Sequence, residues 1–134
     1  MKKLVSYIVM LVLGIGMAAA QTKAEIKFDK TSHNFGTFPE EKPVVTHIFT
    51  FTNVGNGPLV IHQAVASCGC TVPEFTQEPI LPGKTGQVKV TYNGEGRYPG
   101  HFKKSITLRT NAKDAEMIRL FIEGDMKAKE VKKD

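Results

Sequence analysis

Two cysteines separated by one glycine, Cys68 and Cys70, form the segment of this chain with the least ordinary chemistry. Residues two apart in a strand point to the same face, so the two sulfurs can approach each other. A fully extended pair spans roughly 6.6–7.2 Å between Cα atoms, whereas a disulfide needs about 4.4–6.8 Å. A bond therefore requires the chain to bend at Gly69, and it would be strained and easily reduced. Its entropic benefit would be small because the closed loop is short.

Three states of this cysteine pair are consistent with the sequence. The pair could be structural, as a disulfide or as thiols of which one is buried like a small apolar side chain. It could be redox-active. It could also bind a soft metal such as Cu(I), with His62 or another histidine completing the site, whereas zinc would need four ligands and the spacing supplies two local ones. The residues themselves leave all three states open.

The four histidines form no recognisable metal or catalytic motif. They are His33, His47, His62 and His101. His47 and His62 fall on consecutive predicted strands, so the two side chains could approach each other. Because histidine is often half-exposed in proteins, we interpret all four as surface or strand-end residues.

Motifs for catalysis or nucleotide binding are absent from the sequence. There is no G-x-S-x-G elbow, P-loop or dinucleotide fingerprint. Glu40 and Glu41 lie in a predicted turn, and Glu74 and Glu78 lie in one loop, too far apart to act as a catalytic pair. We therefore predict a protein that is not an enzyme and needs no cofactor.

The first twenty residues predict export. Met1-Lys2-Lys3 is a positive start, the run from Leu4 to Met17 is apolar, and three alanines follow. This pattern is typical of a secretory signal peptide, with cleavage between Ala20 and Gln21. The apolar run is shorter than the roughly 20 residues of a membrane span. We expect residues 1–20 to be removed, no stable membrane span afterwards, and a periplasmic or secreted protein.

The charge of the chain argues against nucleic acid as a partner. The net charge is +5, but Lys2 and Lys3 belong to the predicted signal peptide and several other lysines lie in residues 126–134. The remaining body is near neutral and shows no basic stripe with interleaved aromatic residues.

Two cysteines in an exported protein could pair, because that compartment is oxidising.

Hydrophobic alternation with a period of two predicts an all-β fold. The strongest strand runs from Val44 to Asn53, with Phe49 and Phe51 on one face and threonines with Ile48 on the other. About seven such strands, separated by turn signals, predict an immunoglobulin-like β-sandwich of two antiparallel sheets. We place this domain at residues 26–125 and a charged flexible tail at residues 126–134.

Two further details concern the strands. We interpret His33-Asn34-Phe35-Gly36 as a second piece of the first edge strand, and Glu74 to Pro79 as a loop. Phe121 is predicted to point outward from the last strand and is a candidate contact for a partner. If that strand were a sheet edge, another chain could add a strand to it.

Several segments together resemble one family. They are His33-Asn34-Phe35-Gly36, Ile48 to Gly55, Pro58-Leu59-Val60-Ile61, Ser67-Cys68-Gly69-Cys70-Thr71, Leu81-Pro82-Gly83 and Thr110-Asn111-Ala112. In this order they resemble the bacterial domain of unknown function 1573, which is common in exported proteins of the Bacteroidetes. The resemblance covers about Phe28 to Gly124, and it departs at His33-Asn34, where the family often has an acidic residue. It implies a sandwich similar to Hydin and major sperm protein domains, and no known reaction.

These observations lead to two functional hypotheses. The first is an exported, non-catalytic binding or structural module whose partner is another protein or a cell-envelope component. The second is a thiol-redox or copper-handling protein that uses Cys68, Cys70 and His62.

Overall fold

Alternating burial along the strands separates this protein into a core and two outer surfaces. Phe49 and Phe51 on one strand, and Leu120 and Ile122 on another, are almost fully buried, while the residues between them are half-buried. A computed structural model describes residues 22–113 and 115–129. In this part of the chain two sheets face each other, so the predicted all-β, immunoglobulin-like sandwich is confirmed.

Eight strands make up the two sheets. They are β1 (Ile26–Phe28), β2 (Ser32–Pro39), β3 (Val44–Asn53), β4 (Ile61–Ala66), β5 (Thr71–Phe75), β6 (Thr85–Asn93), β7 (Gly100–Thr110) and β8 (Met117–Lys127). The first sheet has the order β1-β3-β6-β5, and the second sheet has the order β2-β8-β7-β4. Inward residues of β3 and β6 pack against inward residues of β7 and β8 between the sheets.

The prediction that His33-Asn34-Phe35-Gly36 continues the first edge strand is wrong. The chain crosses between the sheets after Phe28, so β1 pairs with β3 while β2 pairs with β8 in the second sheet. The β2–β8 pairing is parallel, so this sheet is not purely antiparallel as predicted. A register shift between Asn34 and Thr37 marks a bulge there.

The predicted loop from Glu74 to Pro79 overlaps the end of a strand. Thr71–Phe75 forms β5 and pairs with β6 at the open edge of the first sheet. Asn93 N–H donates to Cys70 O and Thr76 N–H donates to Gln87 O. The backbone of Pro73, which alternates with these residues, therefore faces away from β6, where proline's missing N–H breaks no ladder bond.

The end of the chain is also ordered further than predicted. We placed Met126 at the start of the tail, but β8 extends to Lys127 and Met126 is buried. Lys129 N–H donates to Glu40 Oε1 at 2.6 Å. The charged residues after Lys129 lie outside the described part of the chain.

A fully buried asparagine connects three segments at the end of the sandwich where β3 ends. The side-chain amide of Asn53 donates to Gly57 O and Ile80 O, both at 2.8 Å. Its Oδ1 accepts from Gly55 N–H at 3.0 Å and Glu25 N–H at 3.3 Å. One side chain thereby satisfies four backbone groups, as a polar residue in an apolar core requires.

An aromatic cluster closes the opposite end of the sandwich. The rings of Tyr92 on β6 and Phe102 on β7 stack with centroids 3.8 Å apart and an interplanar angle of 8°. Phe38 on β2 meets Phe102 edge-on at 5.9 Å. These contacts join both sheets beneath the β6–β7 turn.

Candidate functional site

Cys68 and Cys70 are joined in a disulfide at the crossover from the second sheet to the first. Their Cα atoms lie 5.2 Å apart, closer than in an extended chain, so the backbone bends as the bond requires. Thr71 N–H donates to Cys68 O at 3.1 Å, which closes the bend as a turn. Cys70 is 8% exposed and belongs to the core.

Gly69 is not sterically necessary for this bend. Its φ does not lie in the left-handed region, and a Cβ built on it would meet nothing within 4 Å. The bend therefore depends on the backbone bonds of the turn and on the pairing of β4 and β5 with their neighbours.

The structure does not bring His62 to the cysteines. His62 lies at the start of β4, near Arg109 and Thr110 at the end of β7, whereas Ser67, next to Cys68, bonds through its N–H to Ser105 O in the middle of β7. At a rise of roughly 3.3 Å per residue, about 15–20 Å separates His62 from Cys68. Across residues 22–113 and 115–129, no group of three or more His, Cys, Asp or Glu side chains is placed to hold a metal.

Phe121 lies on β8, which is a central strand of the second sheet. β8 pairs with β2 on one side and with β7 on the other, so the idea that a partner adds a strand to β8 is wrong. The Phe121 ring is half-buried, and Lys103 Nζ lies 5.4 Å from its centroid. Its role as a partner contact stays a prediction.

His47 meets His33 instead of His62. β3 and β4 lie in different sheets, so the expected approach of His47 and His62 is wrong. The rings of His33 on β2 and His47 on β3 stack with centroids 3.6 Å apart and an angle of 7°. Phe35 and Phe49 each contact one of these rings edge-on at 4.7 Å. The histidine pair thus bridges the two sheets at the side of the sandwich.

Burial lowers the pKa of both histidines of the pair. For His33 the smaller contribution comes from Lys30, and for His47 it comes from His33 and then Lys30. Asp29 lines a depression of about 220 Å³ next to His47 and Lys30. Protonating either ring therefore places a cation against a neighbouring ring and a lysine.

We expect the folded protein to lose stability as the pH falls through about 6.5, the unfolded histidine pKa. Because the folded pKa values are lower, the unfolded chain binds more protons in this window, and the free energy of unfolding rises with pH. The stability that the two neutral histidines contribute to the folded protein is fully present above about pH 7.5. It is lost once the pH falls below the folded pKa values. Urea unfolding from pH 5 to 8 measures this effect. A His33→Gln/His47→Gln variant should show a shallower slope, and an equal slope would contradict the assignment.

The outer face of the first sheet carries three exposed apolar side chains, separated from one another by threonines. Val44 and Ile48 on β3 are 52% and 46% exposed, and Val72 on β5 is 54% exposed. Thr46 lies between the first two, and Thr91 joins Thr46 to Val72 in register. The Thr46 and Thr91 hydroxyl oxygens are 3.3 Å apart. We call Val44, Thr46, Ile48, Val72 and Thr91 the threonine face.

The outer face of the second sheet is charged by contrast. Lys103 pairs with Glu123 and His101 with Asp125 across β7 and β8. His101 Nδ1 lies 3.1 Å from Asp125 Oδ1 and its Nε2 lies 3.6 Å from Glu123 Oε2. The threonine face was not predicted as a site, although Thr46 and Ile48 were assigned correctly to the face opposite Phe49 and Phe51. The outward alternation of β-branched residues without charge was the signal for it.

The fold of this chain is similar to that of other immunoglobulin-like sandwiches of known structure. A protein of unknown function from Porphyromonas gingivalis W83 superimposes with a TM-score of 0.69 at 16% identity, covering 82% of this chain and 51% of that one. The PapD-like domain 7 of human CEP192 gives 0.62 at 11% identity, covering 84% and 92%. The E. coli chaperone DraB gives 0.54 at 10% identity, covering 78% and 55%.

The chain belongs to the DUF1573 family of proteins of unknown function, whose model matches residues 26–126. The predicted family is thereby confirmed. No curated protein matches the chain. The chain spans about half the length of the P. gingivalis protein, and likenesses at these identities concern the fold alone. The described part of the chain contains no helix with the length and hydropathy that a bilayer crossing requires.

Proposed function

We propose that this chain is an exported, non-catalytic binding module that holds a partner protein against its threonine face. The observation that carries the proposal is the exposure of Val44, Ile48 and Val72 on the outer face of one sheet. Exposed apolar groups gathered in a patch favour protein contact, because contact removes them from water. Lys89 and Glu74, which pair across β6 and β5 in the row of Ile48, place charges beside these apolar groups.

Two further observations support export and the absence of catalysis. The signal-like residues 1–20 precede the described part of the chain, and the disulfide of Cys68 and Cys70 suits an oxidising compartment. The solved structures that resemble the chain include the periplasmic chaperone SfaE. Fold similarity by itself does not define function, so the surface residues have to be tested.

Photo-crosslinking in the producing cells tests this proposal. A photoreactive amino acid at Ile48 should capture one protein reproducibly from the envelope fraction. Because the probe replaces Ile48, the surface is disrupted at two other positions. We expect the Val44→Lys/Val72→Lys variant to abolish capture. The matched control is Val65→Lys, since Val65 is 50% exposed on the second sheet. Val65→Lys should leave capture unchanged.

The same preparation tests export, because the recovered protein should begin at Gln21. Capture that survives Val44→Lys/Val72→Lys, or that is lost equally in Val65→Lys, would contradict the proposed surface. Recovery of the chain only in the cytoplasm with its first twenty residues intact would contradict export.

A further inference from the structure

A polar cavity of about 580 Å³ opens at the end of the sandwich where the β6–β7 turn covers the aromatic cluster. Its volume lies in the range of about 300–1,000 Å³ that is usual for small-molecule sites. The residues of the cavity that bear on ligand binding are Tyr92, Glu95, Arg97, Tyr98, His101 and Lys104. None of them belongs to the threonine face or the disulfide.

The hydroxyl of Tyr92 lacks a protein partner in this cavity. Tyr92 is only 3% exposed and its ring is fixed between Phe38 and Phe102. A buried tyrosine hydroxyl usually finds a hydrogen-bond partner, but within the described residues no such bond is formed. Among the described residues, every side-chain nitrogen or oxygen atom that is buried from solvent has a hydrogen-bond partner. The Tyr92 hydroxyl therefore reaches solvent, and it does so where Tyr92 lines the cavity.

The charges around the cavity favour an anion. Arg97 and Lys104 are cationic, and no ion pair within the described residues joins either of them to a carboxylate. Glu95 is the one acidic residue of the lining, whereas His101 is turned toward Asp125 and Glu123 on the second sheet. The lining therefore holds two cations without an ion-pair partner and one carboxylate.

The turn that carries Arg97 has a defined backbone. Glu95 N–H donates to Asn93 Oδ1 at 2.9 Å, and Arg97 N–H donates to Gly94 O at 3.0 Å. Gly96 has a φ of 76° and Gly100 a φ of 138°, conformations that favour glycine. Tyr98, at the tip of the turn, is 97% exposed, so a large ring is presented to solvent without an internal packing role.

We propose that this cavity binds an acidic sugar, with a hexuronate such as glucuronate as the minimal ligand. Arg97 and Lys104 bind the carboxylate through charge-assisted hydrogen bonds. The Tyr92 hydroxyl bonds to a ring hydroxyl of the sugar, and Tyr98 supplies an aromatic surface for its C–H groups. The polar lining suits a hydroxyl-rich ligand, and this proposal does not depend on the proposed function of the threonine face.

Titration of the purified processed protein with sodium glucuronate, glucose and sodium acetate tests this site. Chemical shifts of the backbone amides of Gly96 and Arg97 report on binding. We expect saturable shifts with glucuronate and affinities at least about tenfold weaker for glucose and acetate, because each lacks one half of the contacts. Equal binding of acetate would reduce the site to an anion site. Equal binding of glucose would remove the role of the cations.

Point variants separate the contacts of the proposed site. Arg97→Gln should weaken glucuronate binding about tenfold. Tyr92→Phe should weaken it several-fold while leaving the melting temperature unchanged, because it removes only an unpartnered hydroxyl. Glu95→Gln should strengthen binding, and Arg109→Gln on the second sheet is the matched control. Absence of saturable binding, or equal affinity of wild type, Arg97→Gln and Tyr92→Phe, would overturn the proposal.

Discussion

Asn53→Asp should lower the free energy of unfolding by about 3–5 kcal/mol at neutral pH, as breaking a buried charged or hydrogen-bonded network does. The amide of Asn53 donates to Gly57 O and Ile80 O at 2.8 Å. A carboxylate at this position has no hydrogen to donate, so the oxygen that replaces the amide nitrogen would face two carbonyl oxygens inside the core. Urea unfolding at pH 7 measures the loss.

The pH dependence of this variant distinguishes the cause from a general packing defect. Burial and the two carbonyls raise the pKa of the new carboxyl group above the unfolded value of about 3.9. The folded variant then binds the extra proton as the pH falls, so part of the lost stability should return toward pH 4, relative to wild type. A protonated carboxyl group can also donate to one of the two carbonyls.

Asn56→Asp is the matched control for this experiment. Asn56 is exposed, and its Oδ1 accepts from Lys23 N–H at 2.7 Å, a bond that a carboxylate preserves. Its change in stability should stay within about 0.5 kcal/mol, as for most surface substitutions. Equal unfolding free energies for the Asn53→Asp and Asn56→Asp variants would show that the four bonds of Asn53 do not support the fold.

The long strands were predictable because their inward residues carry the apolar signal themselves. Phe49 and Phe51, and likewise Val88 and Val90, alternate with polar residues over enough positions to define a face. β5 was missed because Pro73 and Glu74 are unfavourable in most strands, yet an open sheet edge tolerates both. Local pattern therefore identifies strands that pack on both sides better than strands at an edge.

Contacts between the two sheets left no signal in the sequence. The change of sheet between Phe28 and Ser32 depends on which neighbour each short strand finds, and a period of two is the same in either sheet. For the same reason, we expected His47 to approach His62, which lies on the next strand along the chain. In the structure, His33 stacks on His47 from the other sheet. The cavity of Tyr92 and Arg97 is assembled by a turn over the core, which spacing alone does not reveal.

The bend at the cysteines shows a different limit. The sequence correctly required a bend for a bond between Cys68 and Cys70, and it assigned that bend to Gly69. The space around Gly69 is open and its backbone conformation is accessible to other residues. Glycine identity is therefore a poor guide here, because the fold of the two flanking strands determines where the chain turns.

Gly86→Ala should lower the free energy of unfolding by about 2–3 kcal/mol, within the usual cost of overpacking a core. Gly86 is buried on β6 and pairs in register with Phe51 on β3. A Cβ at this position would overlap the ring of Phe51, whose Cε1 lies 3.1 Å away and whose other ring-edge atoms lie closer. Phe51 is fully buried and touches Phe28 with ring centroids 5.3 Å apart, so the ring has little room to move.

A double-mutant cycle identifies the ring as the origin of this cost. Phe51→Leu alone opens space and costs stability, but combined with Gly86→Ala it should give a loss smaller than the sum, with a coupling of about 0.5–3 kcal/mol. Gly69→Ala is the matched control and should change stability by less than about 1 kcal/mol, because the added methyl group meets nothing. Strict additivity would place the cost of Gly86→Ala in the backbone. The expected coupling would instead show that glycine is required at position 86 because the ring of Phe51 fills the space beside it.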